Sequence, residues 1–194
     1  MSKLEKSNKI FNFKVVSKFF YFEPINKKYL NKKYLNWLNN PNINRFLSSV
    51  TKRNTTKDLY EKINSLRKNN GELFSIHKKK DSIHIGNLTI SNFKKNNSIT
   101  YGLMIGDKKS QEVGAGGYVI LMFASLSFDY LKCKKIFAGC KVDNYKSINT
   151  LKTIGFSSKG IKNNFEYFEL SNNKWKKIKL NFLVKNLKIK IHYK

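Results

Sequence analysis

Residues 111–117 read Gln-Glu-Val-Gly-Ala-Gly-Gly, and this is the stretch whose residue types and spacing most suit chemistry. An alternating apolar run (Tyr101, Leu103, Ile105) precedes it, and an apolar stretch of helical length, Tyr118 to Leu131, follows. Glycines at a strand-to-helix junction let backbone N–H groups come close to a ligand. The first turn of a helix has unpaired N–H donors and a partial positive charge, so the ligand it suits is a phosphate. The spacing Gln-x-x-Gly-x-Gly lacks the Gly-Lys-Ser/Thr ending of a Walker loop. No acidic residue stands about 20 positions on to hold a ribose, which argues against a dinucleotide site.

The heptad resembles the acetyl-CoA pyrophosphate loop of the GNAT-type N-acetyltransferases. Three more segments resemble that family, in its order. Asn144-Tyr-Lys-Ser-Ile-Asn-Thr-Leu-Lys-Thr-Ile-Gly-Phe156 is similar to the stretch after the family's fifth strand. Tyr101-Gly-Leu-Met-Ile-Gly-Asp107 resembles its splayed fourth strand. Tyr34 to Leu47 looks like the first-helix segment of a branch that holds ribosomal-protein alanine N-acetyltransferases and acetyltransferases of nucleotide-linked amino sugars. The resemblance spans residues 19–184. It implies a mixed α/β fold with a central, mostly antiparallel sheet and flanking helices, and acetyl-CoA as co-substrate.

The resemblance also implies site residues. The stretch Gln111, Glu112, Val113, Gly114, Ala115, Gly116 and Gly117 would hold the pyrophosphate, with N–H groups from Val113 to Gly117 as the cradle. The chain at Leu103, Met104 and Ile105 would hydrogen-bond the pantetheine arm like an added strand. Asn144 would contact the cofactor or a bound water and is the candidate catalytic residue; it also suits the N-cap of the helix after it. Ser147 and Leu151 would lie beside the arm. Two departures bear on mechanism. Leu151 stands where many relatives carry a proton-donating Tyr, and Thr100 stands near the place of their basic Glu. Tyr101 and Tyr145 are other candidate donors, although each reads more readily as a core or surface tyrosine. His77 and His84 could titrate in the right range, although a lone histidine is commonly structural. Asp107 reads as a turn residue. For the acceptor amine, Tyr34, Trp37, Arg45 and Phe46 could stack and clamp, with core packing as the competing role of Trp37. No Cys/His spacing suggests a metal, and no Ser-His-Asp pattern is present.

Composition bounds the partners. The 194 residues carry 39 Lys and Arg against 12 Asp and Glu, a formal charge of +27. Only Arg45, Arg53 and Arg67 are arginine, the side chain that best reads bases. Dispersed lysine without a nucleic-acid-binding signature favours small anionic ligands over nucleic acid as the primary partner. The apolar run Tyr118–Leu126 is too short to span a bilayer. No signal peptide is visible in Met1–Val16, and Cys133 and Cys140 read as buried free thiols, which fits a cytoplasmic protein.

The elements that position these residues follow from pattern. Strands are expected at Phe19–Glu23, Leu73–His77, Ile83–Ile90, Ile99–Ile105 and Ile136–Val142. Helices are expected at 27–39, from a capping box at Thr55–Asp58 to about Lys68, at about 114–131, and at Ser147–Ile154. A final hairpin, Phe165–Leu170 with Trp175–Val184, is expected across Ser171–Lys174. Residues 1–18 read as a basic extension and 185–194 as a basic tail. The expected activity is acetyl transfer from acetyl-CoA to a small, anionic amine such as a nucleotide-linked amino sugar, by a monomer or homodimer. The alternatives are N-terminal acetylation of a ribosomal-type protein, or a non-catalytic CoA- or RNA-binding module.

Overall fold

The computed structural model describes residues 4–7, 9–47, 53–95, 97–180 and 182–193. Its frame is a sheet in the order β7-β8-β6-β5-β4-β3-β2-β1-β9. The strands are β1 (Phe13–Val16), β2 (Phe20–Pro24), β3 (Glu72–Lys78), β4 (His84–Lys94), β5 (Ser98–Ile105), β6 (Lys135–Lys141), β7 (Ser157–Lys162), β8 (Phe165–Ser171) and β9 (Lys190–Tyr193). Every neighbouring pair is antiparallel except β5 and β6. That parallel pair holds register only from Ser98↔Lys135 to Thr100↔Phe137. Beyond Thr100 the two strands part, and the sheet opens at the carboxyl end of β5.

Each face of the sheet has its own core. On one, α5 (Ala115–Ser125) and α6 (Tyr145–Ile154) cover Leu88, Ile90, Ile99 and Tyr101. Helix α5 is apolar nearly all round, so it is buried, as its composition requires. Its last turn is drawn out into a π-helical segment, Leu126–Tyr130, closed by Leu131 N–H donating to the Leu126 carbonyl at 2.9 Å. On the other face, α1 (Lys32–Asn39), α2 (Pro41–Asn44) and α3 (Thr56–Lys68) build a smaller core around Leu59, Ile63, Leu73 and Met104. The capping box at Thr55 and Asp58 starts α3 as its sequence indicates. A buried ion pair fixes the other end of α3. Arg67 and Glu72 lie 2.9 Å apart, and Ser7 Oγ donates to the same carboxylate at 2.7 Å.

Three expectations differ from the structure. Residues 1–18 are more than a basic extension, because Phe11, Phe13 and Val15 are fully buried and β1 pairs with β2. The alternation Phe11-x-Phe13-x-Val15 is the strand signal, masked by the lysines around it. Residues 185–194 likewise supply β9, which pairs with β1 from Phe13↔Tyr193 to Val16↔Lys190. The final hairpin lies one element earlier than expected, as β7 and β8 turning through Asn163 and Asn164. Both asparagines have positive φ, 50° and 63°, which suits a tight hairpin turn. The segment after Ser171 is helical instead, as α7 (Asn172–Ile178) and α8 (Phe182–Asn186). Ser171, expected in a turn, is the N-cap that accepts from Lys174 N–H, and Trp175 is carried into the core against Phe128.

Candidate functional site

The opening between β5 and β6 organises the site. Strand β5 ends at Ile105, and Asp107 caps the short helix α4 (Lys108–Glu112) by accepting from Ser110 N–H at 3.0 Å. Burial pushes the Asp107 carboxyl up, but hydrogen bonds from Ser110 and Lys78 outweigh it and hold the group below the usual carboxylate range. Asp107 is therefore a turn-holding anion. Gln111 Nε2 donates to the Ile105 carbonyl at 2.6 Å, and Lys146 Nζ donates to the Gln111 carbonyl at 3.0 Å. The turn is thus tied to both β5 and α6.

The glycines follow. Gly114 has φ +73°, the left-handed region, and caps α5 without a side chain. Glu112 and Val113 beside it are exposed, while Ala115 is buried. Gly117 N–H turns back onto the Gly114 carbonyl at 3.0 Å. A Cβ on Gly116 would meet only the Leu103 and Ile105 side chains, at 3.7 and 3.9 Å. One on Gly117 would meet only Thr150, at 3.7 Å. These are ordinary contacts, so packing does not require glycine at either position. A glycine within a helix costs about 0.5–1 kcal/mol relative to alanine, and the packing here does not account for that cost. The turn leaves its backbone open to close approach.

Side chains on β5 alternate across the two cores. Leu103 and Ile105 face α5, and Met104 belongs to the core beneath α1–α3. Asn144 caps α6, its Oδ1 accepting from Ser147 N–H at 3.2 Å. Gly155, at φ +111°, closes the same helix, and a Cβ there would press against Ile178 at 2.8 Å. The Asn…Gly-Phe stretch is in this sense the two caps of one helix, with Phe156 buried behind it. Ser147 is half-buried and hydrogen-bonds to the Cys140 thiol, against burial that pushes that thiol up. Burial pushes Cys133 up to about 11. Both thiols are free and buried. Leu151 is 2 % exposed and packs in the main core, so its contribution is to seat α6.

Other candidates are placed differently from one another. Tyr101 is buried against Phe123 and Phe156, with ring centroids 4.9 and 6.2 Å away, and desolvation raises its phenol. Tyr145 is 71 % exposed. Tyr34 and Trp37 are both buried in the smaller core. Trp37 packs so tightly on Gly106 that a Cβ there would come within 2.0 Å of its ring. His77 and His84 are buried beneath them, ring centroids 5.4 Å apart, and are enclosed by Tyr21, Tyr29 and Trp37. Burial, reinforced by His77, lowers His84 to about 4, so it is neutral at pH 7. Of the four expected acceptor-binding residues, the half-buried Phe46 and the exposed Arg45 are the accessible ones; the guanidinium lies 4.5 Å from the Phe46 ring centre.

The sheet itself offers further groups. Since Met104 faces the α1–α3 side, alternation places Thr100 and Gly102 on that side too. Thr89 pairs with Gly102, Phe137 with Thr100, and Tyr167 with Gly139. Past the reach of the helices this face is open, and Gly102, Gly139 and Tyr167 are exposed on it. A mid-strand glycine in each of β5 and β6 is the sequence signal that could have drawn attention to this row. Among the described residues, no cluster of three or more His, Cys, Asp or Glu could hold a metal, and no helix is long and apolar enough to cross a membrane.

The splayed parallel pair and the glycine turn leading into a buried helix define a class, and a family model agrees. The model described as acetyltransferase (GNAT) domain matches residues 20–157. The chain belongs to the GNAT acetyltransferases. Among solved structures it is similar to the spermidine N-acetyltransferase from Vibrio cholerae in complex with CoA and spermine, at TM-score 0.70 and 18 % identity over 80 % of this chain and 97 % of that one. It is equally similar to FdhC, described as a nucleotide-linked sugar GNAT, at TM-score 0.70 and 18 % identity over 89 % and 98 %. A GNAT-family acetyltransferase from Bacillus anthracis aligns at TM-score 0.69 and 14 % identity, over 82 % and 99 %. At such identities these likenesses concern the fold. A search of curated proteins found no significant match.

Proposed function

We propose that the protein transfers the acetyl group of acetyl-CoA to the amine of a nucleotide-linked amino sugar. The observation that carries the cofactor half is the glycine turn at the start of α5, where Gly116 and Gly117 are not required by packing. In this reading the N–H groups of Ala115 and Gly116 hold the pyrophosphate, those of Val113, Gly114 and Gly117 being engaged with backbone carbonyls. The arm lies in the opening beside Leu103–Ile105, with Asn144 and Ser147 at its edge. Much of the rate comes from holding amine and thioester together in a site that excludes water.

The acceptor half rests on charge. The open face beside the splay carries hydroxyls and glycines (Thr89, Thr100, Gly102, Gly139, Tyr167). The carboxylate that shares it, Glu169, is held by Lys135 at 3.0 Å. A polycation would gain little there, whereas a diphosphate gains from a surface of +27. Arg45 and Phe46 at the end of α2 suit the rim of such a site. The test is thiol release from acetyl-CoA with UDP-linked glucosamine, free glucosamine, spermidine and an N-terminal peptide as acceptors. The reading expects the nucleotide-linked sugar to have the highest kcat/KM. Preference for spermidine or the peptide would overturn the acceptor assignment. Tight binding of acetyl-CoA without any turnover would favour a binding module.

A further inference from the structure

Acetyl transfer leaves a thiolate that must be protonated, and the usual positions for side-chain assistance are Leu151 and Thr100. Leucine has no proton to give, and Leu151 is buried in the core. Tyr101 points into the α5 core against Phe123, and Tyr145 stands out in solvent at the start of α6. We propose that Tyr167 is a catalytic residue whose phenol protonates the leaving thiolate; the assignment rests on the acetyl-transfer reading above.

Position carries the case. Tyr167 sits on β8, and its backbone is fixed on both sides, by Gly139 of β6 and Gly160 of β7. Its ring edge lies against Gly139, with Cδ1 and Cε1 both 3.4 Å from where a Cβ would stand. Gly139 is two residues past Phe137, the last residue of β6 in register with β5. It therefore borders the opening between the two strands. Gly102 is two residues past Thr100 on β5 and borders the opening from the other side. A Cβ on Gly102 would meet nothing nearer than Thr89 Cβ at 3.9 Å, so the strand does not need glycine for packing. A strand glycine without a packing role marks close approach by another chain or ligand. Gly102 thus clears the floor on the β5 side of the gap, and on the β6 side the ring of Tyr167, 46 % exposed, lies over Gly139 on the open face.

The step balances without another reagent. The neutral amine nitrogen attacks the thioester carbonyl carbon and forms the C–N bond. The C–S bond breaks and its electron pair stays on sulfur. The Tyr167 O–H gives its proton to that sulfur, and the phenolate recovers a proton from the acylated nitrogen, directly or through water. The proton lost by nitrogen is the one gained by sulfur, and Tyr167 ends as it began.

The test uses Tyr167→Phe in the full chain, with acetyl-CoA and the best acceptor from the panel above. Loss of a general acid costs roughly 10²–10⁴-fold. The expected result is a kcat at least 10²-fold lower, with acetyl-CoA affinity by calorimetry and acceptor KM unchanged within about two-fold. A second variant carries 3-fluorotyrosine at position 167, whose phenol ionises at lower pH. It should move the basic limb of the kcat profile to lower pH by the phenol's own shift, which a packing role would not do. A Tyr167→Phe kcat within two-fold of wild type, a KM effect alone, or an unmoved basic limb would overturn the assignment while leaving the enzyme reading intact. A wild-type protein that turns over no acceptor would overturn both.

Discussion

The turn from β5 into α5 and the helical layer α1–α3 flank the same strand, yet they use their residues in opposite ways. In the turn, the groups offered to a ligand are backbone N–H groups, and side chains are absent at Gly114, Gly116 and Gly117. In the helical layer, the side chains that look able to recognise a ligand are engaged with one another. Trp37 rests on Gly106, Tyr34 and His84 pack edge to face with centroids 6.2 Å apart, and Arg67 is bound to Glu72. The difference teaches where to look for acceptor recognition. Under the proposed function, the open sheet face (Thr89, Gly102, Gly139, Tyr167) and the rim at Arg45 and Phe46 are better candidates than the buried aromatics of α1.

Changes in the helical layer should register first as lost stability. The largest effect is expected for Glu72→Ala, which leaves the Arg67 guanidinium buried without its partner. Breaking such a pair costs about 3–5 kcal/mol. Denaturant titration should show this, and a joint Arg67→Met, Glu72→Met replacement should recover much of it. Trp37→Ala should also lose about 3–5 kcal/mol through its packing. If Trp37 instead left stability within about 1 kcal/mol and raised only the acceptor KM, the contrast between the two regions would fail.

His84 gives the third test. Its folded value of about 4 lies below the ordinary 6.5, so the unfolded chain binds more protons in that interval. Stability should fall as pH drops from about 6.5 toward 4, by on the order of 2 kcal/mol at the acidic end. The charges facing the pair are Lys14, Lys28 and Lys33, which oppose protonation, and Glu23, which favours it at His77. Thermal melts across this range should show the slope, and His84→Phe should flatten it. A slope unchanged in His84→Phe would place the acid sensitivity elsewhere.

Legibility in the sequence followed the same division. The glycine turn, the strand before it, the buried helix after it and the Thr55 capping box are local patterns, and backbone geometry alone dictates them. The Asn144 cap was legible for the same reason. Tyr34 and Trp37 were not, because an aromatic on an amphipathic helix reads alike whether it meets a ligand or a strand. The Gly106 contact that decides the matter is 69 residues away in the chain. Strand β9 was hidden because its partner β1 lies across nearly the whole chain, and β1, which also pairs with β2 nearby, because lysines mask its alternation. Ser171-Asn-Asn-Lys174 misled since turns and helix N-caps share residue types. Tyr167 acquires meaning only from its partner Gly139, which no periodicity shows.

The smallest change bears most directly on the central claim that acetyl-CoA lies against the glycine turn. Gly116→Ala adds one methyl group where the fold has room, with Leu103 and Ile105 at 3.7 and 3.9 Å. The two regions then part in sign. Alanine should leave the melting temperature equal or raise it, by up to about 1 kcal/mol of helix propensity. The same methyl group should obstruct the backbone's approach to the pyrophosphate. Calorimetric titration of wild type and Gly116→Ala with acetyl-CoA is the measurement. A Kd raised at least several-fold in a variant as stable as wild type is the predicted result, and equal affinity in the two proteins would contradict the account.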